Sequence, residues 1–137
     1  MNISYSGMNA TKKEIEVISS NLANALTTRT VEGGPYRRRY AVLEGVPIHF
    51  DQALSKAEAR MSGGGVQVSR IEEDQSPPQR VYRPGHPDAD VEGFVNLPNV
   101  RQSQEMVDLL FLSRLHEANL TAYNTTKKMA QDTLQIQ

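Results

Sequence analysis

The apolar positions along the chain fall into three blocks with different rhythms. From Met8 to Ala25, the positions Met8, Thr11, Ile15, Ile18, Leu22 and Ala25 recur at alternating intervals of three and four. That spacing predicts a helix with one narrow seam, suited to pairing with another helix. Asn21 and Asn24, followed by Thr27-Thr28-Arg29, mark its fraying end.

Between residues 30 and 98 the pattern changes to short alternating pieces. This stretch holds all seven prolines and eight of the nine glycines. Candidate strands are Tyr36–Leu43, Val66–Ile71, Arg80–Arg83 and Phe94–Leu97, separated by Gly- and Pro-written turns such as Gly33-Gly34-Pro35 and Pro84-Gly85. Gln52–Met61 reads as one helical excursion, with Ala53, Leu54, Ala57 and Met61 roughly on one face.

From Asn99 to Gln137 there is neither Gly nor Pro. Asn99 stands where an N-cap belongs, with Gln102 three residues on. A helix over this block would carry two apolar stripes. One runs Phe111, Leu115, Ala118, Ala122, Thr125, Met129, Ile136; the other runs Leu109, Leu112, Leu120, Tyr123, Ala130, Leu134. The stripes lie about 100° apart, because equivalent positions differ by one residue. Two stripes need more than one neighbour, and the chain offers one other long helix. Part of the burial is therefore expected from other subunits, and both terminal helices are expected to be mobile in the free chain.

The fold class that follows is α+β. Long N- and C-terminal helices pair as a coiled-coil-like bundle around a small antiparallel β-rich middle module. The expected divisions are 1–28 for the first helix, 29–98 for the middle and 99–137 for the last helix.

Composition narrows the chemistry. The chain has 137 residues and no cysteine, which excludes disulfides and thiolate sites. It has no tryptophan and a formal charge of −1, with the signs balanced in each block, so nothing recommends nucleic acid or an anionic membrane as partner. Its longest apolar run is Leu109–Leu112, far below the ~20 residues of a membrane span. The N-terminus has neither a basic nor an apolar signal region, so export, if it occurs, is expected to use a route without a cleaved signal.

Each candidate for chemistry has a plainer reading. Asp88-Ala89-Asp90-Val91-Glu92-Gly93 imitates the start of a calcium loop, but Asn99 stands where the closing bidentate Glu should be. An acidic turn is the better reading. His49, His86 and His116 lie in different elements without metal-ligand spacing. Arg37-Arg38-Arg39 would alternate faces on a strand and so cannot form one phosphate-binding row. The Gly63-Gly64-Gly65 run lacks the Lys-Ser/Thr of a phosphate loop. No catalytic residue, cofactor or metal site is expected.

Particular words carry more. Ser6-Gly7-Met8-Asn9-Ala10 and Ile18-Ser19-Ser20-Asn21-Leu22-Ala23-Asn24-Ala25 resemble the N-terminal signature of flagellar rod and hook proteins. Val81–Asp90 and Gly93–Val100, with Glu105-Met106-Val107-Asp108, Ala118-Asn119 and Asn124-Thr125, are similar to the narrower pattern of proximal rod subunits of the basal body. Members usually carry several more residues ahead of the Ser-Gly word, where this sequence has Met1–Tyr5. The resemblance implies a structural rod subunit without enzymatic activity. Its partners would be itself, other rod proteins and the flagellar type III export apparatus, and its place the rod crossing the periplasm. The expected assembly interface is Met8, Thr11, Ile15, Ile18, Asn21, Leu22 and Asn24 on the first helix. On the last it is Phe111, Leu115, Ala118, Ala122, Thr125, Met129 and Ile136. Another axial protein of the flagellum and a small soluble binding module are the rival readings; the Pro84–Asn99 stretch argues against the first.

Overall fold

The computed structural model describes residues 2–45 and 65–135. The helical excursion expected at Gln52–Met61, along with His49 and Ile136, lies outside the described residues. Helix α1 spans Asn2–Ala23 and helix α2 spans Gln102–Gln135. Between them come four strands: β1 (Arg39–Gly45), β2 (Val66–Glu73), β3 (Gln79–Tyr82) and β4 (Phe94–Leu97). The class is α+β, as the rhythms predict.

The strands form two separate antiparallel pairs rather than one module sheet. In the first, Arg39 faces Glu73 and Gly45 faces Val66, with the register shifting between Val42 and Leu43. In the second, Gln79 faces Leu97 and Tyr82 faces Phe94. A two-stranded ribbon is marginal by itself in water. The first pair is supported by α1, which packs against both β1 and β2.

The two helices lie antiparallel. Gly7 meets Asn119, Thr11 meets His116, and Asn21 meets Glu105. Gly7 is what permits the first approach: a Cβ there would stand 3.0 Å from the Asn119 amide nitrogen. In this register α2 runs on past Asn2, and every side chain described from Asn124 onward is exposed.

The seam expected on α1 is rotated from the observed one. Ala10, Thr11, Val17, Ile18 and Asn21 are the buried positions, whereas Met8, Ile15 and Leu22 are half-buried edges. The cause is a second neighbour: α1 is held between α2 and the β1–β2 pair, so burial spreads to Val17 and Ala10. On α2 the side facing α1 is Glu105, Leu109, Leu112, His116, Asn119 and Tyr123. It is more polar than an apolar-stripe reading allows, because hydrogen bonds do part of the work. Asn99 is not the cap. The Arg101 carbonyl accepts the first helical bond, from the Glu105 amide, so Arg101 holds the N-cap position.

Past α1 the chain turns through Gly33 and Gly34, both at positive φ, where a Cβ would be strained. The Tyr36 amide then donates back to the Thr27 carbonyl. This return brings Tyr36 beside Ala25 and Val100 in a small buried cluster.

Candidate assembly surface and the joint beneath it

A polar joint welds α1, β1 and the start of α2. Asn21 is fully buried, and both donors and both lone pairs of its carboxamide are used. Its Nδ2 donates to the Arg39 carbonyl at 2.7 Å and to Glu105 Oε2 at 3.1 Å. Its Oδ1 accepts from the Arg39 amide at 2.9 Å and the Tyr36 hydroxyl at 3.0 Å. The side chain thus pairs with the backbone of Arg39 as a neighbouring strand would.

Glu105 is equally buried, in the first turn of α2, where the helix dipole favours an anion. Its other oxygen accepts from Arg38 Nε, forming an ion pair with a partly exposed guanidinium. Asn99 accepts the Arg38 amide hydrogen at 2.8 Å, so the same segment is held from both sides. No buried side-chain polar atom among the described residues lacks a partner.

The arginine run is absorbed in the same way. Arg37 donates to Gln75, Arg38 to Glu105, and Arg39 to Glu73. In the acidic turn, Arg80 binds both Asp90 and Glu92 and lies over the Phe94 ring, so those carboxylates face a cation of the chain itself. Asp88 accepts from Thr28 at 2.7 Å, tying the end of the α1 segment to that turn. Gly93 sits at positive φ, with a Cβ position 2.9 Å from the Tyr82 ring. Among the described residues no group of three His, Asp or Glu side chains could hold a metal ion.

The expected interface residues separate into four groups. Thr11, Ile18 and Asn21 are buried within the chain, Thr11 against His116 and Asn21 in the polar joint. Asn24 closes α1: its Nδ2 donates to the Ser20 carbonyl and its Oδ1 accepts from Thr27. Met8, Ile15 and Leu22 are half-buried edges. Phe111, Leu115, Ala118, Ala122, Thr125 and Met129 form a continuous exposed stripe on α2, with Phe111 65% and Met129 63% accessible. Met106, Val107 and Leu110 widen it at one end.

Spacing alone missed Glu105 and Arg38. A Glu three residues into a helix ordinarily reads as a solvated dipole partner.

Surface hydroxyls are less polar than they look. Thr125 and Thr126 each donate to the carbonyl four residues earlier, at 2.8 Å, and Thr133 does so at 2.7 Å. Donors spent on the helix itself leave the methyls as the free surface. No helix among the described residues is long and apolar enough to cross a membrane.

An antiparallel helix pair with an internal polar joint and an uncovered apolar stripe defines a structural subunit built on its terminal helices. A family model described as flagella basal body rod protein matches residues 1–29. The flagellar basal-body rod protein FlgC of Bacillus subtilis is 42% identical over 142 residues, covering 99% of this chain and 95% of that protein. The proteins of the same name from Borreliella burgdorferi and Salmonella typhimurium are each 38% identical. They cover 99% and 98% of this chain, and 94% and 92% of their own length. The chain belongs to the FlgC family of flagellar basal-body rod proteins, and its role is that of a structural component of the rod, serving motility.

Proposed function

We propose that this chain is a subunit of the proximal rod that polymerises through its terminal helices, with the exposed α2 stripe as the principal contact. The observation that carries the reading is the stripe itself, Phe111 to Met129, left open by a helix whose other side already packs on α1. Terminal helices then form the wall of a hollow shaft, and the strand pairs of residues 29–98 lie outside it. The partners are further copies and other rod proteins. Delivery is through the flagellar type III export apparatus without cleavage, to the part of the rod that crosses the periplasm. The subunit has no catalytic step to perform.

Two readouts test this in the flagellated source bacterium. Deleting the gene should abolish swimming, and an antibody to the chain should label purified basal bodies at the rod. Normal swimming in the deletion strain, or basal bodies free of the protein, would refute the reading.

A further inference from the structure

Two patches on this chain are complementary to each other and too far apart to meet within one molecule. The first is a notch of about 280 Å³ where α1, β1 and α2 converge. Val17, Ile18 and Leu112 supply its buried lining, Phe111 one exposed wall, and Glu14 and Asp108 its acidic groups. Arg38 and Arg39 also border it, but their charges are engaged by Glu105 and Glu73. Neither Glu14 nor Asp108 forms an ion pair among the described residues; Asp108 accepts a 3.3 Å bond from Gln104. Partial burial pushes the Glu14 carboxyl above the usual glutamate range.

The second patch is the distal part of α2, which runs beyond α1. It carries Lys127 and Lys128, neither in an ion pair among the described residues, with the exposed apolar Leu134 on the Lys127 side and the exposed Asp132 one turn from Lys128. Its threonine hydroxyls are turned onto the helix backbone. Two cations on a helix face match an apolar notch with unneutralised carboxylates, since lysine stems lie along apolar walls while their ammonium groups reach the acids.

Asp108 and Lys128 are separated by about 30 Å along one straight helix. Contact between such patches is therefore heterologous, and a heterologous contact that does not close on itself builds an open helical polymer. We infer that the notch receives the distal α2 segment of a second copy of this chain, head to tail, with Lys127 and Lys128 answering Glu14 and Asp108. This rests on the rod reading above and names the contact between successive copies within it.

Absence of native cysteine makes the test direct. Val107→Cys and Gln131→Cys, placed beside the two patches so that the charges remain, are combined in one chain. Basal bodies from that strain are treated with a short thiol cross-linker. A ladder of dimers, trimers and higher species is expected, with each single-cysteine chain remaining monomeric. Monomers only, from basal bodies that contain the protein, would overturn the inference while leaving the rod reading intact. Cross-linking of a single-cysteine chain to itself would also overturn it, as a two-fold contact. In a second arm, Lys127→Glu with Lys128→Glu should remove the protein from the basal body, and adding Glu14→Lys with Asp108→Lys should restore it. Full incorporation of the first pair alone, or no restoration by the second, would contradict the inference.

Discussion

The carboxamide of Asn21 and the carboxylate of Glu105 meet at 3.1 Å with no solvent access to either residue, although 84 positions separate them in the chain. Around that contact the end of α1, the start of β1 and the first turn of α2 become one rigid piece. Any surface on α2 is consequently positioned by α1 and by the strand pair that α1 supports.

Removing either group should therefore be costly. Asn21→Ala leaves the Arg39 amide and carbonyl, the Tyr36 hydroxyl and one Glu105 oxygen without their partner. Each unsatisfied buried group costs about 1–3 kcal/mol, partly relieved by entering water. A loss of about 3 kcal/mol is expected in chemical denaturation. Asn21→Asp should be worse than Asn21→Ala, since it also sets a second carboxylate against the buried Glu105. Equal stabilities for the two variants would mean the joint is not closed as described.

Glu14 gives a pH-dependent outcome. Burial raises its carboxyl above the ordinary value, so between those two values the folded chain holds a proton that the unfolded chain has released. Its contribution to stability is thus lost as pH rises through that window and stays lost above it. Half-buried Glu72 and Asp74 are shifted the other way, by Arg70 and Tyr40 and by Ser76 respectively, and favour folding at higher pH. Comparing Glu14→Gln with the parent isolates the one group. The variant should gain stability relative to the parent as pH rises above the ordinary glutamate value, by an amount under ~1 kcal/mol because the site is only partly buried. A difference that does not change with pH would show that Glu14 is fully hydrated.

Hydrogen exchange on the free chain should divide α2. Amides around Leu109, Leu112 and His116 lie against α1 and are expected to be protected. Those from Asn124 to Leu134 have no neighbouring element among the described residues, and an isolated helical stretch of that length is marginal in water. This narrows the mobility expected from the apolar stripes, which extended over both terminal helices. Uniform protection along α2 would contradict the division.

Much of this arrangement is legible from the residues. Phe94–Leu97 coincides with β4, and the other three strands overlap their expected ranges. Turn chemistry carried those assignments, because glycine and proline leave few alternatives. The burial of α1 was misplaced by about one residue, since periodicity finds one stripe and cannot count neighbours. Asn99 was misread because a side chain that fits a cap also fits a strand amide, and the Arg38 N–H claimed it. The joint was the least legible feature. Asn21, Glu105 and Arg38 are polar, and polarity along a chain reads as exposure unless their partners are known. By contrast, the exposure of the α2 stripe is legible from its periodicity, and among the described residues nothing covers it.

Leu115 tests the central claim most directly. It lies 40% exposed on the open stripe, one turn before Ala118 and Ala122, and away from the Asn21–Glu105 joint. Leu115→Asp should leave the fold unchanged, because the side chain already meets water in the free chain. In an assembled wall the same carboxylate would be buried without a partner, at a cost of several kcal/mol repeated at every subunit. The measurement is the amount of the protein in purified basal bodies, with swimming scored alongside. The account predicts a folded, exported variant that is absent from the rod and cells that do not swim; wild-type incorporation and normal swimming would mean that the stripe faces solvent and the assembly surface lies elsewhere.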